Sequence, residues 1–111
     1  RAPQRAEDTP ILVIGNLTLD EAKHEVKQNG TVVDLTPIEF RILTGLMKSA
    51  GKVVKRADLA IHLMDIGYTG SEATLKIHIR NLRGKLGDDL DEPRYIETVF
   101  GIGYRFLEGE R

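Results

Sequence analysis

The chain has 111 residues, of which 41% are hydrophobic and 30% charged, with a formal net charge of −1 and no cysteine. That length suits one domain with a single modest core, and the composition is that of a soluble globular protein rather than a disordered one. The longest unbroken apolar run is Ile11-Leu12-Val13-Ile14, far short of a bilayer span, and the lack of cysteine removes disulfides and thiolate chemistry and fits a reducing cytoplasm.

Residues 1–10 (RAPQRAEDTP) are polar, hold two prolines and lack apolar periodicity, so a linker or tail is expected there. The chain starts at Arg1 rather than Met and shows no charged-then-apolar leader, so a piece of a longer cytoplasmic protein is the expectation. Short strand-like runs follow: ILVI at 11–14, LTL at 17–19, HEV at 24–26 and TVVDL at 31–35. Asn29-Gly30 separates the last two and tolerates positive φ at both positions, which signals a hairpin. A small antiparallel sheet is expected from this region.

The pattern then becomes helical. Thr36-Pro37-Ile38-Glu39 fits a capping box, with Thr36 as N-cap, Pro37 at the first helical position and Glu39 reaching back. Phe40, Leu43, Leu46 and Met47 supply an apolar stripe, and Gly51 is a natural stop. A second helix is expected over 56–65, with Leu59, Leu63 and Ala60 inward and Gly67 ending it. DIGYTGSE (65–72) reads as a loop, in which Ile66 and Tyr68 form either an exposed partner patch or a lid on the core.

Residues 74–86, TLKIHIRNLRGKL, hold Lys76, Arg80, Arg83 and Lys85 and no acid. The remaining 12 cations face 17 acids, so the rest of the chain carries −5. Strand alternation fails at Leu82 and Leu86, whereas a helix gathers Ile79, Leu82 and Leu86 within about 40° of Leu75 at about 100° per residue. A helix over 71–86, capped by Ser71 and ended by Gly87, is expected. Ile77 then lies opposite the core, among Ala73, Arg80, Asn81 and Gly84, flanked by Lys76, Arg83, Thr74 and His78. After the acidic loop GDDLDEP (87–93), the β-runs YIETV (95–99) and YRFL (104–107) surround Phe100-Gly101-Ile102-Gly103 and read as a hairpin.

A DNA major groove admits one α-helix. The outer face of 74–86 carries what such entry needs. Arg80 suits guanine, Asn81 suits adenine and Ile77 suits a thymine methyl, while Lys76, His78, Arg83 and Lys85 suit phosphates. The competing reading is a solvated amphipathic helix. The order of sheet, three helices and glycine-turned hairpin gives an α+β winged helix-turn-helix, with the hairpin over 95–107 as a wing at the backbone or minor groove.

The motifs LTPIEFRIL (35–43), GKVVKRADL (51–59), TLKIHIRNLRGKL and YIETVFGIGYRF (95–106) occur in this order. Through them the chain resembles the C-terminal effector domain of OmpR/PhoB-type response regulators over about residues 10–108. The resemblance implies a DNA-binding transcription factor governed by a phosphorylated N-terminal receiver domain. It also implies dimeric or tandem binding to direct-repeat sites, and a loop at 65–72 that can touch RNA polymerase. On this basis 11–108 is the domain and 109–111 a tail. By position, Thr74, His78, Arg80, Arg83 and Arg56 correspond to phosphate contacts, and Ile77 and Asn81 to base-facing places. Thr98 and Tyr104 flank the wing, whose turn carries Phe100 and Gly101. Phe100 stands where several members have an arginine for the minor groove, and Ala73 and Asn81 stand where some have arginine, so this domain is expected to draw less on charge.

Other chemistries are poorly supplied. His24, His62 and His78 lie in unrelated elements, so no metal site is expected. Asp88, Asp89, Asp91 and Glu92 lack calcium-loop spacing and read as solvated. Gly101 and Gly103 precede no helix, so turn geometry rather than a nucleotide loop is their expected role. No nucleophile–base grouping is visible, and neither catalysis nor a cofactor is expected. The alternative of a winged helix used for protein–protein contact draws support from the net charge of −1.

Overall fold

Asn29 and Gly30 adopt φ of +53° and +82°, the geometry of a tight primed turn whose twist matches paired strands. They join the last two strands of a four-stranded antiparallel sheet: β1 (Ile11–Ile14), β2 (Leu17–Asp20), β3 (Glu25–Gln28) and β4 (Thr31–Val32), in spatial order β1-β2-β3-β4. The computed structural model describes residues 10–68, 70, 72–89 and 91–108. The linker reading for 1–9, the tail at 109–111 and the cap at Ser71 lie outside the described residues. β3 begins one residue later than the sequence suggests and runs to Gln28, because it pairs along its length with β2, Leu17 facing Gln28. β4 stops at Val32, and residues 33–36 run irregularly to the helix cap. Alternation places Leu17, Leu19 and Val26 in the core and leaves Ile11, Val13 and Val32 exposed.

Helix α1 (Pro37–Lys48) starts at the expected box: Thr36 Oγ1 accepts from Glu39 N at 3.1 Å, and Glu39 Oε1 accepts from Thr36 N at 3.0 Å. Such a cap is worth about 1 kcal/mol. The same Oε1 accepts from Lys85 Nζ at 2.7 Å, with Glu39 only 2% exposed. α2 (Arg56–His62) is shorter than the sequence suggests; Met64–Ile66 form a 3-10 turn, ended by Gly67 at φ +89°. Leu59 and Leu63 are buried. α3 (Glu72–Leu86) buries Leu75, Ile79, Leu82 and Leu86 as its period requires. These side chains join Phe40, Leu43, Leu46, Met47, Ile96 and Phe106 in one core, each fully buried side chain contributing about 1.5–3 kcal/mol.

The C-terminal sheet differs from a simple hairpin. β6 (Ile96–Val99) and β7 (Gly103–Phe106) pair, and a further strand, β5 (Val53–Lys55), pairs with the other edge of β7 in the order β5-β7-β6. β7 is therefore the central strand. Gly103 serves this pairing rather than a turn: a Cβ there would sit 2.0 Å from the Val54 carbonyl oxygen. Gly101, at φ +79°, is the residue that the turn itself requires.

Polar links tie the N-terminal sheet to the end of α3 and to the entry of β6. Gln28 Nε2 donates to the Leu86 carbonyl at 2.8 Å and to Tyr95 Oη at 2.9 Å, and Tyr95 Oη donates to Asn16 Oδ1 at 2.8 Å. The first bond satisfies a carbonyl in the last turn of α3. Asp88 is not merely solvated. Its carboxylate accepts from the backbone N–H groups of Arg94, Tyr95 and Ile96 at 2.7, 3.3 and 2.9 Å and so sets the entry to β6.

Candidate nucleic-acid interface

The core stripe of α3 dictates what faces outward. With Leu75, Ile79 and Leu82 buried, Ala73, Thr74, Lys76, Ile77, Arg80, Asn81 and Gly84 are exposed. Ile77 is 52% exposed between Lys76 and the Arg80 side. One wall of this face is supported by the glycine loop. Tyr68 is buried, its hydroxyl lies 2.8 Å from Thr74 Oγ1, and its ring meets His78 edge-on at 5.8 Å between centroids. Tyr68 is thus a lid on the core, whereas Ile66 beside it is exposed.

Across from this face stands the β6–β7 hairpin. An open cleft of about 450 Å³ separates them, lined by Lys76, Ile77, Arg80 and Arg83 on the helix and by Glu97, Thr98, Phe100 and Tyr104 on the hairpin; Glu97 is paired with Arg105. A neighbouring hollow of about 410 Å³ brings in Arg56, Ala73 and Gly101. The start of α2 reaches the wing through its backbone, Arg56 N donating to the Ile102 carbonyl at 3.4 Å. Tyr104 is buried, and burial raises its phenol above the ordinary 10.0, while the Arg56 and Arg83 charges pull it back down. It therefore remains a neutral hydroxyl at the cleft floor.

Two sequence-expected contacts are engaged within the protein. Arg83 is only 5% exposed, and its guanidinium donates from Nη1 to Thr98 Oγ1 at 3.0 Å. Though largely covered, it lines the cleft beside Thr98 and braces α3 against β6. Lys85 is not among the cleft-lining residues and turns to the Glu39 carboxylate. The structure gathers Arg56, Thr74, Lys76, Ile77, His78, Arg80, Asn81, Thr98, Phe100, Gly101 and Tyr104 on or beside one face. Sequence reasoning missed the Arg83–Thr98 brace and the Tyr68 support. Both join residues in different elements, which no local pattern encodes. Of the histidines, His24 stacks on Phe40 at 4.0 Å and His62 lies against Gly45. Among the described residues no helix is long and apolar enough to cross a membrane.

A four-stranded sheet, three helices and a strand-backed wing beside a cationic helix face define a winged-helix DNA-binding domain of the transcription-regulator class. The family described as "Transcriptional regulatory protein, C terminal" matches residues 30–106, and the chain belongs to it, in its OmpR/PhoB-type branch. Regulatory protein VanR of Enterococcus faecium is 36% identical over 103 residues, covering 91% of this chain and 44% of that protein. Transcriptional regulatory protein BaeR of Escherichia coli is 42% identical over 91 residues, covering 81% and 38%. The DNA-binding domain of RstA from Klebsiella pneumoniae, solved in complex with the RstA box, is similar with a TM-score of 0.80 at 32% identity. That match covers 89% of this chain and 98% of that one. The chain spans less than half the length of these curated relatives.

Proposed function

We propose that this domain binds double-stranded DNA sequence-specifically, with α3 in the major groove and the β6–β7 hairpin as a wing toward the adjacent minor groove. The observation that carries the reading is the stretch 74–86 of α3, which holds four cations and no acid, with its outer face across an open cleft from Thr98 and Tyr104. A duplex presents one sugar–phosphate strand between its two grooves, and the cleft is where that strand would run. Lys76 and Arg80 then meet its phosphates, with Arg56, Thr74 and His78 at the margins. The neutral Tyr104 hydroxyl donates without adding charge. Asn81 and Ile77 face base edges, an adenine and a thymine methyl being their natural partners.

Similarity to full-length regulators supports a wider reading: the effector half of a cytoplasmic two-component response regulator, controlled by a receiver domain and binding direct repeats as a dimer or in tandem. Met64 and Ile66 are exposed next to the 65–72 loop, which supports contact with RNA polymerase there. The domain acts by binding, not catalysis, and residues 11–108 form its unit.

Fluorescence anisotropy of a labelled duplex pool across a salt series tests the reading. Salt-sensitive binding, weakened by Arg80→Ala, is expected. Salt-independent binding, or none at low salt, would overturn it and leave the protein-contact alternative.

A further inference from the structure

The wing tip is chemically unlike the rest of the face. Val99-Phe100-Gly101-Ile102-Gly103 contains no charged side chain and no side-chain hydrogen-bonding group. Phe100 is 89% exposed, the most exposed large apolar side chain among the described residues, and Ile102 beside it is half exposed. The turn cannot readily fold over to hide the ring. Ile102 N donates to the Val99 carbonyl at 3.0 Å, Arg56 N donates to the Ile102 carbonyl, and β7 is held on both edges. Arg83 fixes β6 through Thr98. A rigid hairpin therefore presents a bare aromatic ring at the rim of a cleft whose walls hold Lys76 and Arg80.

We infer that Phe100 is a wedge: on DNA it enters the minor groove, inserts at one base step, partly unstacks it and bends the duplex. Apolar side chains reach buried surface in a minor groove chiefly by entering between base pairs, which kinks the helix toward the major groove. The cost of unstacking is smallest at flexible pyrimidine–purine steps such as TA and CA/TG. The wing would therefore select its step by deformability, with no side-chain hydrogen bond to a base. This inference rests on the DNA-binding reading and adds to it a residue that sets specificity.

The test uses a duplex selected from a random pool by the domain itself, with 2-aminopurine placed in turn at each step the wing spans. A second, end-labelled version reports bending by energy transfer. With the unaltered domain, 2-aminopurine fluorescence is expected to rise at one step and the ends to draw together. Phe100→Ala should abolish both signals and weaken binding about 10-fold, with the salt slope unchanged because no phosphate contact is lost. Phe100→Leu should keep part of the bend. Phe100→Arg should recover affinity without unstacking and steepen the salt slope by about 0.9. Thermal melting should be the same for all variants, since the ring is exposed. Tight binding with no fluorescence change at any step, or a bend that survives Phe100→Ala, overturns the wedge while leaving DNA binding intact. Failure of the unaltered domain to bind any duplex at low salt overturns both.

Discussion

Arg83 donates to Thr98 Oγ1 at 3.0 Å, joining the last turn of α3 to the strand that leads into the wing. The relative position of helix and wing, which sets the cleft width, is thus fixed in part by a charge-assisted bond in a nearly dry place. Thr98→Val keeps the side-chain shape and removes the acceptor. It should cost about 1.5–3 kcal/mol of stability in urea unfolding, the range for a hydrogen bond to a charged group. Hydrogen exchange should quicken in β6. DNA affinity should fall with the salt slope unaltered, because no cation leaves the surface. A flatter slope in Thr98→Val would mean that Arg83 reaches phosphate directly.

Arg80 and Lys85 make a sharper pair. Both read from sequence as cations of one helix, yet Arg80 is exposed at the cleft and Lys85 is paired with Glu39. Arg80→Ala should lower the salt slope by about 0.9 with little change in melting. Lys85→Met should do the reverse. It leaves the buried Glu39 with Thr36 as its remaining partner and costs about 1 kcal/mol, a figure kept low because water reaches the Lys85 side chain. Anisotropy and thermal melting on the two variants separate the roles, and equal slope changes would contradict them.

The helices were legible because their signals are local. The Thr36 box, the stripe from Leu75 to Leu86 and the Asn29-Gly30 turn each lie within one element, and each appears where the pattern puts it. β5 was not legible. Val53-Val54 between lysines is too short to alternate, and it becomes a strand only because β7 offers an edge some fifty residues on, Val54 opposite Tyr104. Asp88 misled for the same reason: its acceptors' role depends on the backbone of 94–96 arriving beside it. The candidate face was legible as a set of residue types, because helical period alone separates Ile77 from Leu75. The burial of Arg83 was not, since it depends on where β6 docks.

Gly103 and Gly84 should respond oppositely to alanine. At Gly103 a new Cβ meets the Val54 carbonyl oxygen at 2.0 Å and the Lys55 Cα at 2.9 Å, all backbone of β5. Gly103→Ala should force β5 from β7 and cost about 3 kcal/mol or more, as overpacking against backbone does. Gly84 lies on the exposed side of α3 with nothing within 4 Å of its added Cβ. Gly84→Ala should stabilise by about 0.5–1 kcal/mol through helix propensity. Urea midpoints measure both, and a Gly103→Ala variant as stable as the parent would show that the three-stranded sheet is not obligatory.

Tyr104 gives the fold an alkaline limit. Burial holds its phenol above the ordinary 10.0, and the Arg56 and Arg83 charges offset only part of that effect. The folded state therefore keeps the phenolic proton more tightly than the unfolded chain does. This contribution is fully present below 10.0 and is lost as pH rises through that value toward the folded pKa, because the unfolded chain ionises first. Unfolding free energy, measured from just below to about a unit above this point, should fall more steeply for the parent than for Tyr104→Phe, which has no proton to lose. The difference between the two curves isolates Tyr104 from the other groups that titrate there. Parallel curves would mean that water reaches the phenol freely, and the cleft floor would then be wetter than its packing indicates.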